Sequence, residues 1–150
     1  MAVVDMYDQI SKSLSEGKFS MGIFIDLSKA FDTVDHQILL NKLAHLGIRG
    51  IPLQWFTSYL SERKQYVHIN DYDSKLKYVK CGVTQGSILG SLLFLIYVND
   101  MPNCSKILGF ILFADDTNIF YAHNDIKTLI ETVNSELKFL SNWFRANRLS

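Results

Sequence analysis

Two adjacent aspartates interrupt an apolar stretch: Phe113-Ala114-Asp115-Asp116 lies between Ile107-Leu108-Gly109-Phe110-Ile111-Leu112 and Thr117-Asn118-Ile119-Phe120-Tyr121. Adjacent carboxylates repel each other, and burying even one ionised carboxylate without a partner costs several kcal/mol. A chain that sets two of them between strand-like segments therefore either holds a cation there or bends there. Hard divalent ions, Mg²⁺ above all, are bound by one or two carboxylates together with substrate phosphates. The competing explanation is a hairpin turn, where Asp is common because it tolerates unusual backbone angles. The pair alone leaves both open.

The flanking pattern is that of a mixed helix and strand protein. Val3, Val4, Met6, Tyr7, Ile10 and Leu14 follow helical spacing over residues 3–15, and Gly17 ends the run. Phe19 to Leu27 is short and apolar, as expected of a buried strand. A helix with Ile38, Leu39, Leu40, Leu43 and Leu46 on one face should end at Gly47. Pro52 opens another helix, with Trp55, Phe56, Tyr59 and Leu60 expected on its core side. Gln65 to Asn70 and Lys75 to Cys81 alternate polar and apolar residues, and Asp71-Tyr72-Asp73-Ser74 between them should form the turn of a hairpin. Gly86 to Asp100 is expected to be a buried helix, with strand as the alternative over Leu92 to Val98. The aspartate pair should sit at the bend of a hairpin over Ile107 to Ala122. Leu129, Ile130, Val133, Leu137, Leu140 and Phe144 mark a long amphipathic helix over 126–144. This order predicts an α+β fold in which helices pack on an antiparallel sheet.

With 150 residues, 48% of them hydrophobic, the chain is long enough for one domain with a real core. Fifteen basic and fifteen acidic residues leave no formal net charge, so nucleic-acid binding would need a local patch. Cys81 and Cys104 show neither metal spacing nor a disulfide framework, which suits a reduced intracellular protein. The four scattered histidines give no support for a zinc site. The longest apolar run, Ile88 to Val98, is about half a membrane span. No signal peptide is evident, and no membrane partner is expected.

Asp26 supplies the second clue. It closes the apolar run Gly22-Ile23-Phe24-Ile25, where an acidic side chain is otherwise out of place. If that strand lies beside the 107–122 hairpin, Asp26 and Asp115 converge, and two divalent ions about 4 Å apart would neutralise them. The alternative for Asp26 is the N-cap of a helix starting near Ser28.

The string Phe24-Ile25-Asp26-Leu27-Ser28-Lys29-Ala30-Phe31-Asp32-Thr33-Val34-Asp35-His36 resembles the first catalytic motif of reverse transcriptases, specifically those of non-LTR (LINE-type, jockey-like) retrotransposons. Gly82-Val83-Thr84-Gln85-Gly86-Ser87-Ile88-Leu89-Gly90 is similar to that family's template- and nucleotide-contacting motif. Phe113-Ala114-Asp115-Asp116 resembles its catalytic hairpin, and the segment from Trp143 to Ser150 resembles the stretch that follows. Four motifs in the family's order cover nearly the whole chain.

The resemblance implies an RNA-directed DNA polymerase, a nucleotidyltransferase that joins a deoxynucleoside triphosphate to a primer 3′-hydroxyl on an RNA template. Residues 1–150 would be a partial reverse transcriptase domain: a ferredoxin- or RRM-like palm with a small part of the fingers. Asp26, Asp115 and Asp116 would be catalytic and would hold two Mg²⁺ ions, with Mn²⁺ as the substitute, and Leu27 would add a backbone contact. Phe31 matches the bulky group under the incoming sugar, which leaves no room for a 2′-hydroxyl; in isolation it would read as a core Phe. Gln85 and Gly86 match the nucleotide- and template-touching pair. Arg63 and Lys64, with Lys75, Lys77, Lys80 and nearby tyrosines, could track a nucleic-acid backbone, but Glu62, Asp71 and Asp73 dilute the set and a solvated hairpin is the favoured reading.

Thr84 and Ser91 depart from the family, which has Pro at both positions, so a looser loop is expected there. The chain is expected to be a piece of something longer that lacks most of the fingers and the thumb and does not polymerise by itself. The family implies action in the nucleus. A silent remnant serving as a nucleic-acid or protein interaction domain is the alternative from another class.

Overall fold

The structure is a computed structural model that describes residues 2–27, 29–113 and 116–149, with the side chains of Ala2, Val3 and Asp5 not described. The chain divides into two compact units, Met1–Ala30 with Asn99–Ser150, and Phe31–Val98.

The first unit contains helix α1 (Ala2–Ser15) and strand β1 (Phe19–Asp26). After the intervening unit, a short 3₁₀ turn (Met101–Cys104) leads to strands β6 (Gly109–Phe113) and β7 (Asp116–His123) and helix α6 (Ile126–Ala146). Its sheet has the order β1-β7-β6 and is antiparallel throughout. Met21, Ile23 and Ile25 are half-buried, whereas Ser20, Gly22, Phe24 and Asp26 are exposed. β1 is thus an edge strand with one wet face, not the buried strand its apolar composition suggests. Phe24 obscured the alternation: it lies on the exposed face, where its ring meets Phe120 edge-on at 6.2 Å. The sheet core comes from β7, where Thr117, Ile119 and Phe120 are buried, and from Leu129, Val133 and Leu140 of α6. Asp125 caps α6 by accepting from the Thr128 amide at 2.7 Å and its hydroxyl at 2.6 Å.

The second unit contains helices α3 (His36–His45), α4 (Ile51–Leu60) and α5 (Ile88–Val98); the chain enters it through the short helix α2 (Ala30–Thr33). Leu39, Leu43, Leu60, Leu93, Phe94 and Tyr97 build its core. Three expected core faces in this unit are only partly so, beginning with that of α3, whose Leu46 is exposed. In α4 only Leu60 is buried, and Trp55 is 55% exposed. In α5 Ile88, Leu92 and Leu95 face outward, so the helix is amphipathic in burial although nearly uniform in hydropathy. No strand forms over Leu92 to Val98.

A protruding hairpin joins α4 to α5. Its two-residue strands are β2 (Lys64–Gln65) paired with β5 (Lys77–Tyr78), and β3 (His68–Ile69) paired with β4 (Tyr72–Asp73). The turn lies at Asn70-Asp71, both with positive φ of 47° and 64°, and not at 71–74. Two consecutive left-handed residues define the tight hairpin turn, and Asn and Asp tolerate them best after Gly. Tyr72 and Asp73 consequently join the ladder. Tyr66, Val67, Ile69, Tyr72, Leu76 and Tyr78 are all exposed on this hairpin. Among the described residues no helix is long and apolar enough to cross a membrane.

Candidate functional site

The carboxylate site belongs to the first unit. β1 and β7 pair from Phe19↔His123 to Asp26↔Asp116, so two aspartates face each other on the terminal rung of the ladder. Directly opposed residues of an antiparallel pair project to the same face with Cβ atoms about 5 Å apart, and like charges there are destabilising. Both are exposed. The helix-cap alternative for Asp26 does not hold by position: β1 ends at Asp26 and the next helix, α2, begins four residues on at Ala30. Asp35, further on, does cap a helix: in α3 its Oδ1 accepts from the amides of Gln37 at 2.9 Å and Ile38 at 3.0 Å. Asp115 lies outside the described residues. Leu27, directly after Asp26, is buried and its carbonyl accepts the Ala30 amide at 3.2 Å.

Among the described residues no group of three His, Cys, Asp or Glu side chains is assembled for a metal. Asp26 and Asp116 supply the chemistry such an ion selects: two hard, exposed oxygen donors sharing one face. They fit a divalent cation that is otherwise ligated by water and phosphate.

The second unit gathers Phe31 and the Gly82–Gly86 loop. The Phe31 carbonyl accepts the Val83 amide at 2.8 Å, and the Val34 carbonyl accepts the Gly82 amide at 2.7 Å. The Gly82 carbonyl in turn bonds the His36 ring through Nε2 at 2.8 Å. Gly82 is required here: its φ is +90°, and a Cβ would stand 2.9 Å from the Asp32 carbonyl oxygen. The Phe31 ring is half-buried against Phe94, with centroids 4.6 Å apart. It is thus held from behind by the helix core while part of it stays accessible. Gln85 and Gly86 are both exposed, just ahead of α5.

The loop is not loose at Thr84. Arg63 Nη2 donates to Thr84 Oγ1 at 2.6 Å, and the Thr84 carbonyl accepts from Ser87 Oγ at 2.9 Å. Gly90 makes this possible, since a Cβ there would collide with the Thr84 carbonyl oxygen. Arg63 also lies over Tyr59, 5.8 Å from the ring centroid, and Lys64 lies 5.0 Å from the Tyr78 centroid. Both cations read as nucleic-acid contacts are therefore engaged within the protein. Thr84 enters the sequence reading only as a departure that loosens the loop, and Gly82, His36 and Asp35 only as members of longer strings; for Asp35 a cue existed, an Asp immediately before a helical apolar pattern.

Residues 4–150 match the family described as Reverse transcriptase (RNA-dependent DNA polymerase). The chain is 28% identical over 142 residues to the RNA-directed DNA polymerase from mobile element jockey of Drosophila melanogaster, covering 88% of this chain and 15% of that protein. It is 28% identical over 145 residues to the probable RNA-directed DNA polymerase from transposon BS of the same species, covering 89% and 16%. Identity to the probable RNA-directed DNA polymerase from transposon X-element, also of D. melanogaster, is 32% over 121 residues, 76% of this chain and 13% of that one. The chain thus spans about one-sixth or less of the length of these relatives.

Proposed function

The chain belongs to the reverse transcriptase (RNA-dependent DNA polymerase) family, and from that premise we propose that it is the palm of an RNA-directed DNA polymerase encoded by a non-LTR retrotransposon. The observation that carries this is the Asp26↔Asp116 rung, two like charges opposed where a strand pair could have ended on any neutral residues. Such a pair is tolerable when its task is to bind positive charge.

Within a polymerase, Asp26, Asp116 and Asp115 would hold two Mg²⁺ ions, or Mn²⁺. When bound, such ions lower the charge repulsion between triphosphate and primer 3′-hydroxyl and stabilise the developing charge. The Asp26 and Asp116 side chains share one face of the ladder and set the side from which a cation would approach. Phe31, braced on Phe94, would close the space beneath the sugar, excluding a 2′-hydroxyl by contact. Gln85 offers a donor and an acceptor, and Gly86 lets a nucleotide approach the backbone closely. An RNA template, a DNA primer and a dNTP would be the partners of a polymerase carrying these residues.

The test is primer extension on an RNA template by the jockey polymerase carrying this chain's residues 4–150 in place of its own matching segment. Extension dependent on the template, and lost in Asp26→Asn and in Asp116→Asn, is the expected result. Extension that survives either substitution would refute the site, and an inactive chimera beside an active parent would refute the function.

A further inference from the structure

Arg63 and Thr84 lie 21 residues apart, yet they make one of the shortest side-chain bonds in the second unit, 2.6 Å from Nη2 to Oγ1. Four observations converge on that bond. The Arg63 carbonyl accepts the Val79 amide at 2.8 Å, so its backbone is tied to the far side of the hairpin root. Its guanidinium lies over Tyr59, and Tyr59 stacks nearly parallel on Trp55, with centroids 5.5 Å apart and planes 11° apart. Trp55 and Tyr59 lie one turn apart on α4, and Arg63 comes just past the end of that helix, its guanidinium spanning from the Tyr59 ring to Thr84. Thr84 is held at its other end too, its carbonyl accepting from Ser87 Oγ at 2.9 Å. The next residues are Gln85 and Gly86, exposed and with Gly86 at φ +81°. A turn with so little burial has no packing to hold it still.

We propose that Arg63 is a positioning residue: through Thr84 Oγ1 it fixes the Gln85-Gly86 turn in the conformation that receives the nucleotide. This rests on the polymerase reading for the identity of what Gln85 touches, but the restraint itself does not. A guanidinium suits the task because it is planar, stacks on an aromatic face and donates in a fixed direction. The bond to Thr84 engages Nη2, one end of a five-donor fork.

The test has two arms. Amide ¹⁵N relaxation on this chain reports the turn directly: the order parameters of Gln85 and Gly86 should fall from roughly 0.85 to about 0.6 in Arg63→Ala and in Thr84→Val, since these are the rigid and mobile levels. The double variant should fall no further, and Thr84→Ser, which keeps the hydroxyl, should stay at the wild-type level. In the jockey chimera, Arg63→Ala and Thr84→Val should each raise the KM for dNTP about tenfold with kcat changed less than twofold, and Thr84→Ser should restore KM. Unchanged order parameters, or additive losses in the double variant, would overturn the restraint. A mobile turn with an unmoved KM would overturn the positioning role. A wild-type chimera that extends no primer would sink the polymerase reading, and with it the nucleotide role, while the relaxation arm still judges the bond.

Discussion

Removing one charge from the Asp26↔Asp116 rung should stabilise the chain when metal is withheld and destabilise it, relative to wild type, when metal is supplied. The two residues are direct partners on the last rung and both are exposed. At the roughly 5 Å separation of such partners, two unit charges in a water-like medium repel by about 332/(80 × 5), or about 0.8 kcal/mol. For a chain of this size that is about 2–3 °C in Tm. Asp26→Asn and Asp116→Asn should therefore each raise Tm by about that much in EDTA at low salt. Asp26→Asn/Asp116→Asn should gain little more, because the first substitution has already relieved the shared repulsion. Saturation with Mg²⁺ should reverse the order. A ligand at ten times its Kd adds about 1.4 kcal/mol to a protein that binds it only when folded, and the variants lose that site. Differential scanning fluorimetry across a Mg²⁺ titration measures both effects. If either variant melts lower than wild type in EDTA, the rung is held by something other than a cation. If Mg²⁺ raises the variants as far as wild type, the cation binds elsewhere.

Three further outcomes follow. Gly82→Ala should cost about 2 kcal/mol or more, read as a lowered urea midpoint, because it demands a left-handed alanine whose Cβ overlaps the Asp32 backbone. Phe31→Val in the chimera should raise ribonucleotide incorporation at least tenfold relative to dNTP, measured by competition, while leaving Tm within a few degrees because the ring is only half-buried. The Asp125 carboxyl is held below its ordinary 3.8 first by the hydroxyl of Thr128 and next by its amide. A depressed carboxyl stabilises the fold above pH 3.8, its usual value, and loses that contribution as pH falls through the lowered folded value. Asp125→Ala should thus lower Tm at pH 7, with the gap to wild type closing in acid below that point.

Legibility differed by the range of the interaction involved. Helices α1 and α6 and the β6–β7 hairpin follow from local periodicity, and so does the prominence of Asp116, an acid beside an apolar run. Supposing that β1 lies next to that hairpin brings Asp26 toward Asp115; the ladder partner is Asp116, and the 90-residue gap encodes neither the adjacency nor the register. Phe24 shows how composition misleads: an exposed aromatic on an edge strand looks the same in sequence as a buried one. The hairpin turn moved to Asn70-Asp71 because positive φ, not polarity, selects turn positions, and Asp73 instead faces His68 across the ladder at 2.7 Å. The Arg63–Thr84 bond was invisible, since neither residue carries a local signal of the other. Thr84 by itself argued for a slack loop, and only its distant partner reverses that.

The hairpin between α4 and α5 bears on how the chain behaves as a colloid. Its two-residue strands are too short to template long edge pairing. It nevertheless displays Tyr66, Val67, Ile69, Tyr72, Leu76 and Tyr78 to water on a chain whose formal net charge at pH 7 is zero. Without net charge there is no long-range repulsion between molecules to oppose contact between these patches. Solubility of the isolated chain should accordingly pass through its minimum near neutrality and recover as pH moves either way. Replacing Tyr72 and Leu76 at the hairpin surface would relieve it without touching either the carboxylate rung or the Gln85-Gly86 turn.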